Sequence, residues 1–485
     1  MNKFYVTCDL GAAHGRVMLG LLHQDKLTVS EVRRFQNQPV QTKNSVHWNI
    51  PELYQETIDG LRQVSRYEEP IDGISCSSWA GDYLLFGSDG SLITPTHHHS
   101  DPRGEAGMEA VLSKLPAKAI YEETGVQIRA ANTLSQLGAE NSRRLKQAQL
   151  LPIADGFNYL LSGVPRVELS MASATQLYNP VTRNWSEQLV KTLNLPPTLL
   201  PQIVPAGTKL GPLRPEVAKE TGLADASVIA AGSDAMSAAL AGLSAPEGEH
   251  WAFLRPGSWT IMGTHLAGPI ITDESREMNF TNEIGFGGSV RFSKRLAGTW
   301  ILEECRRGWK GTERDHDDDV LRHLATSAPS FESLINPADP RFHTSGDMPQ
   351  KIQQFCKETG QTVPRRPGPI IRCVTESLAL QYRQTLDEIA QLTGREISRL
   401  FVLGRARSDL LNHFTANALN LPVFIAPAEA TVIGNMMIQA LALGHVKSIC
   451  QAREVVGNSF PMESIIPRSS AWDAAYERFV QLASP

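Results

Sequence analysis

One residue suited to chemistry is Asp234, which stands between a short apolar run and an alanine-rich stretch. Residues 228–231 predict a buried strand, and the residues from Asp234 to Gly242 predict a helix. A carboxylate at a helix start caps free backbone N–H groups and is favoured by the helix dipole. An isolated Asp has a pKa of about 3.9, so this side chain is also ionised and able to accept a proton. Asp234 is therefore either a plain N-cap or a catalytic base. Its position at the midpoint of the chain, where two lobes would meet, favours the base.

A second candidate is Asp9, which begins a tight turn. The β-branched and aromatic run Phe4–Cys8 predicts a strand, and residues 16–20 predict its return. Backbone N–H groups of such a turn can bind phosphate oxygens, although an ordinary glycine hairpin has the same pattern. Residues 251–263 repeat this strand–turn–strand form in the second half of the chain. Two homologous lobes that each contribute a phosphate loop would give this repetition.

Length and composition place these motifs in a two-domain α/β protein. The chain has 485 residues, which is long for a single core, and strands alternate with helices up to Gly242. The net charge of -5 gives no general attraction to nucleic acid or to anionic membranes. No apolar run approaches the roughly 20 residues that span a bilayer. The six cysteines are scattered without a CxxC pair, and no signal peptide is recognisable, so a cytoplasmic location is expected.

The run His97-His98-His99 suggests a metal site at first sight. Three adjacent imidazoles cannot easily face one ion, and Asp101 and Arg103 follow closely. A polar loop is therefore favoured over a metal site.

Five segments together resemble the FGGY carbohydrate kinases, and within them the rhamnulokinase branch. The opening segment is Asp9–Leu19, and the others are Glu168–Leu177, Ile335–Phe342, Glu376–Tyr382 and Pro427–Asn435. Each motif is weak alone, but their order and spacing extend over essentially the whole chain. The resemblance implies two actin-like (ribonuclease H-like) α/β domains that enclose a central cleft, with an N-terminal domain at 1–242 and a C-terminal domain at 243–485.

The implied reaction transfers the γ-phosphoryl group of ATP to a hydroxyl of a ketose such as L-rhamnulose. Asp234 matches the family's catalytic base, and Asp9 matches the aspartate that orients Mg²⁺. The positions that match nucleotide-binding residues are Ala12, Ala13, His14, Gly15, Arg16, Ser258, Glu303, Gly404 and Arg405. The positions that match sugar-binding residues are Trp79, Ala80, Asp82, Ser233, Ala235 and Arg295. The implied partners are a small sugar, ATP and Mg²⁺, without nucleic acid or membrane, and the chain would be a monomer or a homodimer.

Several of these positions depart from the family pattern. Ala13 and His14 replace two serines, Ser233 replaces a histidine, and Arg295 replaces an asparagine. Pro256 removes an N–H donor from the second loop, and Arg405 stands where the family has glycine. Arg255, Arg295, Arg405 and Arg407 would add positive charge near one cleft. One hypothesis is that they receive an extra anion, because arginine suits bidentate contacts with carboxylate or phosphate. The alternative to a kinase is a catalytically weakened relative that binds a sugar or sugar phosphate as a sensor. Cys356 and Cys373 match positions where rhamnulokinases also have cysteines and so are expected to lie close together.

Overall fold

The computed structural model describes residues 2–246, 248–404, 409–469 and 471–483. Within them the chain forms two compact units. The first unit comprises residues 1–247, 266–292 and 429–461, and the second comprises 248–265, 293–428 and 462–485. No helix among the described residues is both long and apolar enough to cross a membrane.

The β-strands are numbered in chain order. They are β1 Lys3–Leu10, β2 His14–His23, β3 Lys26–Gln36, β4 Val40–Gln41, β5 Val46–Trp48, β6 Gly73–Ser78, β7 Tyr83–Phe86, β8 Thr96–His97, β9 Gln149–Pro152, β10 Val167–Glu168, β11 Tyr178–Asn179, β12 Asn184–Trp185, β13 Ile203–Val204, β14 Thr208–Pro212, β15 Ser227–Ala230, β16 Trp251–Arg255, β17 Trp259–Leu266, β18 Phe280–Ile284, β19 Val290–Ala297, β20 Arg399–Val402, β21 Val423–Ile425 and β22 Glu463–Ile465.

The α-helices are numbered in the same way. They are α1 Ile50–Val64, α2 Arg103–Leu112, α3 Ala117–Thr124, α4 Thr133–Gly138, α5 Ser142–Leu145, α6 Ile153–Ser162, α7 Leu169–Ala174, α8 Glu187–Thr192, α9 Pro215–Thr221, α10 Ala235–Ala241, α11 Asp273–Glu277, α12 Trp300–Trp309, α13 Asp318–Ser327, α14 Met348–Glu358, α15 Pro367–Thr393, α16 Asp409–Leu419, α17 Ala430–Ala442, α18 Ile449–Ser459 and α19 Trp472–Ala483.

The first unit is built on a six-stranded sheet in the order β14-β15-β6-β1-β2-β3. Strands β15, β6 and β1 are parallel neighbours, whereas β1, β2 and β3 form an antiparallel meander. The central strand β6 is buried at every position. Parallel strands of this kind are covered on both faces, and their carboxyl ends meet at one edge of the sheet.

Helix α17 joins the first unit although it lies far along the chain. Thr7 on β1 donates a hydrogen bond to the side-chain oxygen of Asn435 at 2.9 Å, and the side chain of Gln439 donates to the backbone oxygen of Val6 at 3.0 Å. Gly434 allows α17 to pack against α10, because a Cβ atom there would lie 1.8 Å from the backbone oxygen of Ala238. The two units are therefore interleaved in sequence, whereas the predicted domains divide the chain once, between 242 and 243.

The second unit contains a mixed sheet with the order β17-β16-β20-β21-β22. Strands β16, β20 and β21 are parallel, and β17 and β22 are antiparallel to their neighbours. The long helix α15 extends over Pro367–Thr393. Two buried cysteines, Cys356 on α14 and Cys373 on α15, are free thiols that interact with each other, in line with the closeness that the family resemblance implied.

Candidate active site

Three of the predicted carboxylates are located at or just beyond the carboxyl ends of the parallel strands in the first unit. Asp9 lies near the end of β1, Asp82 follows β6, and Asp234 follows β15. Ser78 forms a parallel bridge with Asp234, and its backbone N–H donates to the backbone oxygen of Ser233 at 2.9 Å. The sheet thus brings together residues that are more than 200 positions apart in sequence. This edge is where ligands bind in open α/β sheets.

Asp234 is the N-cap of α10, as one of the two sequence interpretations proposed. Its Oδ2 accepts a hydrogen bond from the backbone N–H of Ser237 at 3.0 Å. The same oxygen accepts from Nη1 of Arg291 at 2.6 Å, and the side chain of Asp234 is 7% exposed. Both of these hydrogen bonds fall on Oδ2, so they fix the carboxylate without involving Oδ1.

Arg291 was not identified from the sequence. It lies on β19, is buried, and pairs through Nη2 with Glu283 on β18 at 2.6 Å. Burial by itself would lower the pKa of Arg291, but Glu283 and Asp234 raise it above its ordinary value. Arg291 is therefore a fixed cation beside Asp234. Its strand also contains Ser293, Lys294 and Arg295, so the local sequence does not single it out.

Two further buried acids lie behind Asp234. The hydroxyl of Ser233 donates to Asp155 at 2.7 Å, and its backbone N–H donates to Glu168 at 3.2 Å. Ser170 donates its hydroxyl to Glu168 and accepts a hydrogen bond from the backbone N–H of Asp234 at 3.2 Å. Burial raises the pKa of Glu168 to about 7, and burial together with the charge of Glu168 raises the pKa of Asp155. Ser233, predicted to bind sugar, is fully buried and instead orients the backbone at Asp234.

Asp82 is also fully buried, and its oxygens are used within the protein. Its Oδ2 accepts hydrogen bonds from the ring N–H groups of Trp48 at 2.7 Å and Trp79 at 2.8 Å, and Nδ1 of His99 lies 2.8 Å away. Its Oδ1 accepts from Gln136 at 3.0 Å. Burial alone would raise the pKa of Asp82, but the hydrogen bonds and charge of His99, followed by the indole donors, lower it. In this structure Asp82 orients the partly exposed rings of Trp79 and His99.

The residues around Asp82 form an aromatic cluster that the sequence did not predict. The Trp48 ring lies 4.5 Å from that of Trp79 and 4.2 Å from that of His98, measured between centroids. His98 and His99 stack at 4.1 Å. Ala80 lies beside this cluster in sequence, and Ala235 begins α10; both are partly exposed.

The first predicted phosphate hairpin is an exposed turn between β1 and β2. Ala12, Ala13 and His14 are exposed, and Asn37 supports the turn through hydrogen bonds to the backbone oxygens of Gly11 and Ala13. Gly15 is buried against the Phe35 ring, where a Cβ atom would lie 2.2 Å from the ring.

Arg16 connects Asp9 to the start of α17. Its Nη2 lies 2.5 Å from Asp9 Oδ2, and its Nη1 lies 3.3 Å from Glu429. The predicted metal-orienting aspartate is therefore already paired with a cation. Its other oxygen, Oδ1, has a longer contact of 3.5 Å with the hydroxyl of Ser77.

In the second unit, Ser258 and Glu303, both predicted to bind nucleotide, lie beside each other. The Ser258 hydroxyl donates to Glu303 Oε2 at 2.9 Å, and Thr299 donates to Oε1 at 2.9 Å. The turn that contains Ser258 follows the carboxyl end of β16, and Gly404 follows the carboxyl end of β20. These two strands are parallel neighbours. Arg295 is exposed, and its guanidinium lies over the Trp259 ring at 4.1 Å.

Gly404 lines an open cavity of about 480 Å³ in the second unit. Its other lining residues include Asn412, His413, Ile425 and Ala426. A cavity of 300–1,000 Å³ is typical of sites for small molecules and cofactors. Arg405, predicted to bind nucleotide, and Arg407 lie outside the described residues, so the hypothesis of an extra anion beside four arginines stays a prediction.

Comparison with known proteins covers both halves of the chain. Residues 4–241 match the N-terminal domain of the FGGY family of carbohydrate kinases, and residues 252–443 match its C-terminal domain. The chain is 38% identical over 485 residues to a rhamnulokinase of Bacteroides thetaiotaomicron, covering 99% of both chains. It is 32% identical to a rhamnulokinase of Bacillus subtilis, covering 98% of both.

Solved structures agree in fold at low sequence identity. A ligand-bound xylulose kinase from Lactobacillus acidophilus superposes with a TM-score of 0.84 at 16% identity, covering 99% of this chain and 97% of that one. A glycerol kinase from Plasmodium falciparum with ADP superposes with a TM-score of 0.81 at 12% identity, covering 99% of this chain and 96% of that one. The two-domain actin-like α/β fold is thereby confirmed.

Proposed function

The chain belongs to the FGGY family of carbohydrate kinases, and we propose that it transfers the γ-phosphoryl group of ATP to a hydroxyl of L-rhamnulose, with Asp234 as the base. The family resemblance predicted from the sequence is confirmed, and with it the assignment as an ATP-dependent sugar kinase. The substrate L-rhamnulose comes from the names of the relatives at 32–38% identity.

The observation that supports Asp234 as the base is how its carboxylate is held. Ser237 and Arg291 both bind Oδ2, so the side chain cannot rotate freely and Oδ1 is the oxygen left to accept a proton. Phosphoryl transfer passes through a loose transition state, in which positioning and late proton acceptance matter more than strong basicity. A carboxylate positioned by a buried guanidinium suits that requirement.

On the sugar side, we propose that the hydroxyls and ring of the ketose contact Trp79, Ala80 and Ala235. Asp82 would act by fixing the rings of Trp79 and His99, since it is itself fully buried. Ser233 would act in the same way through the backbone of Asp234. Arg295 is kept as a proposed sugar-binding residue.

The residues present fit a nucleotide with a divalent cation. In the first unit, the turn Ala12–His14 offers exposed backbone to phosphate oxygens and Arg16 adds a cation. In the second unit, taken by itself, Ser258 offers a hydroxyl. The cavity beside Gly404 is large enough for a nucleoside, and a Cβ atom at Gly404 would meet nothing within 4 Å. Asp9 Oδ1, whose contact with the Ser77 hydroxyl is long at 3.5 Å, is the oxygen that would hold a water of hydrated Mg²⁺. When bound, the cation neutralises charge that develops on the phosphates.

We propose that the enzyme is cytoplasmic, a monomer or a homodimer, and uses Mg²⁺ as the cation. We also propose that the division at 242/243 separates roles, with the sugar side and the first phosphate hairpin before it and the nucleotide side after it. The comparisons do not favour the alternative of a catalytically weakened sugar-binding relative.

The proposal is tested by measuring ADP release with L-rhamnulose, D-xylulose and glycerol as acceptors. L-Rhamnulose is expected to give the highest kcat/KM. Asp234→Asn should lower kcat by about 10²–10⁴-fold, the usual contribution of general base catalysis. Asp347→Asn is a matched control, because Asp347 is also an N-cap that accepts from a backbone N–H, at 3.1 Å.

Equal kcat values for the two variants would refute the role of Asp234. A preference for another acceptor would refute the substrate while leaving the base intact. Stabilisation by ATP and Mg²⁺ should be similar in wild type and Asp234→Asn. A ligand at 100 times its Kd adds about 2.7 kcal/mol of stability.

A further inference from the structure

A cluster of nitrogen and oxygen donors lies on the small sheet β4-β5-β8 of the first unit. His47 on β5 pairs directly with His97 on β8 in antiparallel register. Side chains at directly opposed positions share one face of a sheet, and these two rings lie 5.0 Å apart at 76°. Asp101, four residues after His97, brings a carboxylate that is 4% exposed.

The donor atoms of these three residues converge. One nitrogen from each histidine and one oxygen of Asp101 all lie within 4.8 Å of one another. The hydroxyl of Ser45 lies among them, 2.8 Å from Nε2 of His47 and 3.4 Å from Nδ1 of His97, and it donates to Oδ2 of Asp101.

The carboxylate of Asp101 is held in place by the backbone. Its Oδ2 accepts from the N–H of Val46 at 2.8 Å, and its Oδ1 accepts from the N–H of Arg103 at 2.9 Å. Hydrogen bonds of this kind orient metal ligands in established sites. The carboxylate therefore does not need the histidines to keep its position.

We propose that His47, His97 and Asp101 bind a divalent transition-metal ion, with Zn²⁺ the best match. Two imidazoles and one carboxylate are a ligand set of zinc, whereas Mg²⁺ prefers oxygen ligands throughout. The fourth position would be taken by the Ser45 hydroxyl or by water. In tetrahedral zinc with bonds of about 2.0–2.1 Å, the ligand atoms are separated by about 3.3 Å. The donor atoms here lie within 4.8 Å of one another, so the widest separation would shorten by about 1 Å or more when the ion binds.

The surrounding charges permit a cation. Arg103 and Arg144 both pair with Glu140, at 2.9 and 3.2 Å. The formal charges of these three groups and of Asp101 therefore sum to zero. Nη1 of Arg144 also lies 3.4 Å from Nε2 of His97. A metal at Nδ1 requires the proton on Nε2, so this contact is given up on binding.

The proposed metal site and the aromatic cluster beside Asp82 lie on opposite faces of the same strands. Successive residues of a strand face opposite sides. Trp48 follows His47, and His98 follows His97. The rings of Trp48 and His98 contact each other with their centroids 4.2 Å apart and their planes tilted by 34°. A metal ion would therefore join the two strands that position this cluster.

The test is titration of the full chain, without a polyhistidine tag, with Zn²⁺ by isothermal calorimetry. We expect one saturable ion per chain, not displaced by millimolar Mg²⁺. His47→Ala and His97→Ala should each weaken binding at least 100-fold, because loss of groups that merely orient ligands already costs about 10–100-fold. His98→Ala, a neighbour outside the cluster, should bind as wild type does.

His47→Cys keeps a zinc-binding donor and should retain affinity within about tenfold of wild type. It also separates loss of the ligand from loss of the fold, which circular dichroism checks for every variant. The proposal is overturned if wild type binds no stoichiometric Zn²⁺, or if folded His47→Ala and His97→Ala both bind as tightly as wild type.

Discussion

Replacing Arg291 with methionine tests whether this side chain is what allows two carboxylates to be buried. Arg291 lies between Asp234 and Glu283, 2.6 Å from each, and its side chain is 6% exposed. Methionine preserves much of the volume but removes the charge. Both carboxylates would then remain buried, at 7% and 14% side-chain exposure, without their cation.

Breaking a buried ion pair by removing one partner costs about 3–5 kcal/mol, because the remaining charge is uncompensated. Arg291→Met should therefore lower the free energy of unfolding by about 3–5 kcal/mol. If the two carboxylates contribute equally to this loss, adding Glu283→Gln to Arg291→Met recovers about half of it, roughly 2 kcal/mol. Glu283→Gln in the wild-type background should instead destabilise, since it removes a partner from a buried cation.

Urea titrations of the four proteins in this cycle give the energies, and Arg34→Met is the control. Arg34 pairs with Glu31, but both are largely exposed, at 42% and 36%. Exposed pairs contribute about 0–1 kcal/mol. The decisive result is that the effect of Glu283→Gln on the free energy of unfolding changes sign between the wild-type and Arg291→Met backgrounds. If Glu283→Gln destabilises both backgrounds equally, or if Arg291→Met costs no more than Arg34→Met, the electrostatic account of this site is wrong.

Three further predictions address the pH dependence, the nucleotide turn and the helix packing. Burial raises the pKa of Glu168 to about 7, because the ionised form is disfavoured inside the protein. This shift contributes about 4 kcal/mol of stability below the unfolded pKa of about 4.3, and the contribution is lost as the pH rises through 7. Glu168→Gln should flatten the stability profile between pH 5 and 8, and an unchanged slope would contradict the shift. His14→Ser should lower KM for ATP by about fivefold, the value of one hydrogen bond of about 1 kcal/mol to phosphate, and an equal or higher KM would contradict a role for this turn. Gly434→Ala should destabilise the fold by several kcal/mol, because its Cβ would meet the backbone oxygen of Ala238. Gly308→Ala is the control: Gly308 lies within a helix and its Cβ would make only ordinary contacts, so this variant should be neutral or stabilising. Similar unfolding midpoints for the two variants would count against the packing argument.

The sequence determined the local structure around the site. The apolar run 228–231, the turn and the alanine-rich stretch correctly predicted β15, the N-cap at Asp234 and helix α10. The two hairpins were predicted by the same logic, because period-two patterns and turn residues act over a few positions. The order of the motifs along the chain was sufficient to identify the family.

What the sequence did not indicate are the partners that lie far away in the chain. Arg291 binds Asp234 across 57 positions, and Asp82 is contacted by Trp48 from 34 positions upstream. Nothing in the local pattern marks these residues, since a buried arginine or tryptophan is explained equally well by packing. The run His97–His99 was interpreted as one polar loop, whereas strand alternation sends His97 to His47 and His98 to Trp48.

The position of α17 in the first unit is the clearest feature that depends on tertiary contacts and not on local sequence. Its Gly434 packs against α10, and the side chain of Asn435 bonds to Thr7 on β1 and to Ser75 on β6. The sequence of Asp234 allowed both an N-cap and a catalytic base, and the structure makes the two roles compatible at one helix start. Local propensity fixes what a segment of a few residues does with its own backbone, but the burial and pairing of a charge depend on which distant residues the sheet brings beside it.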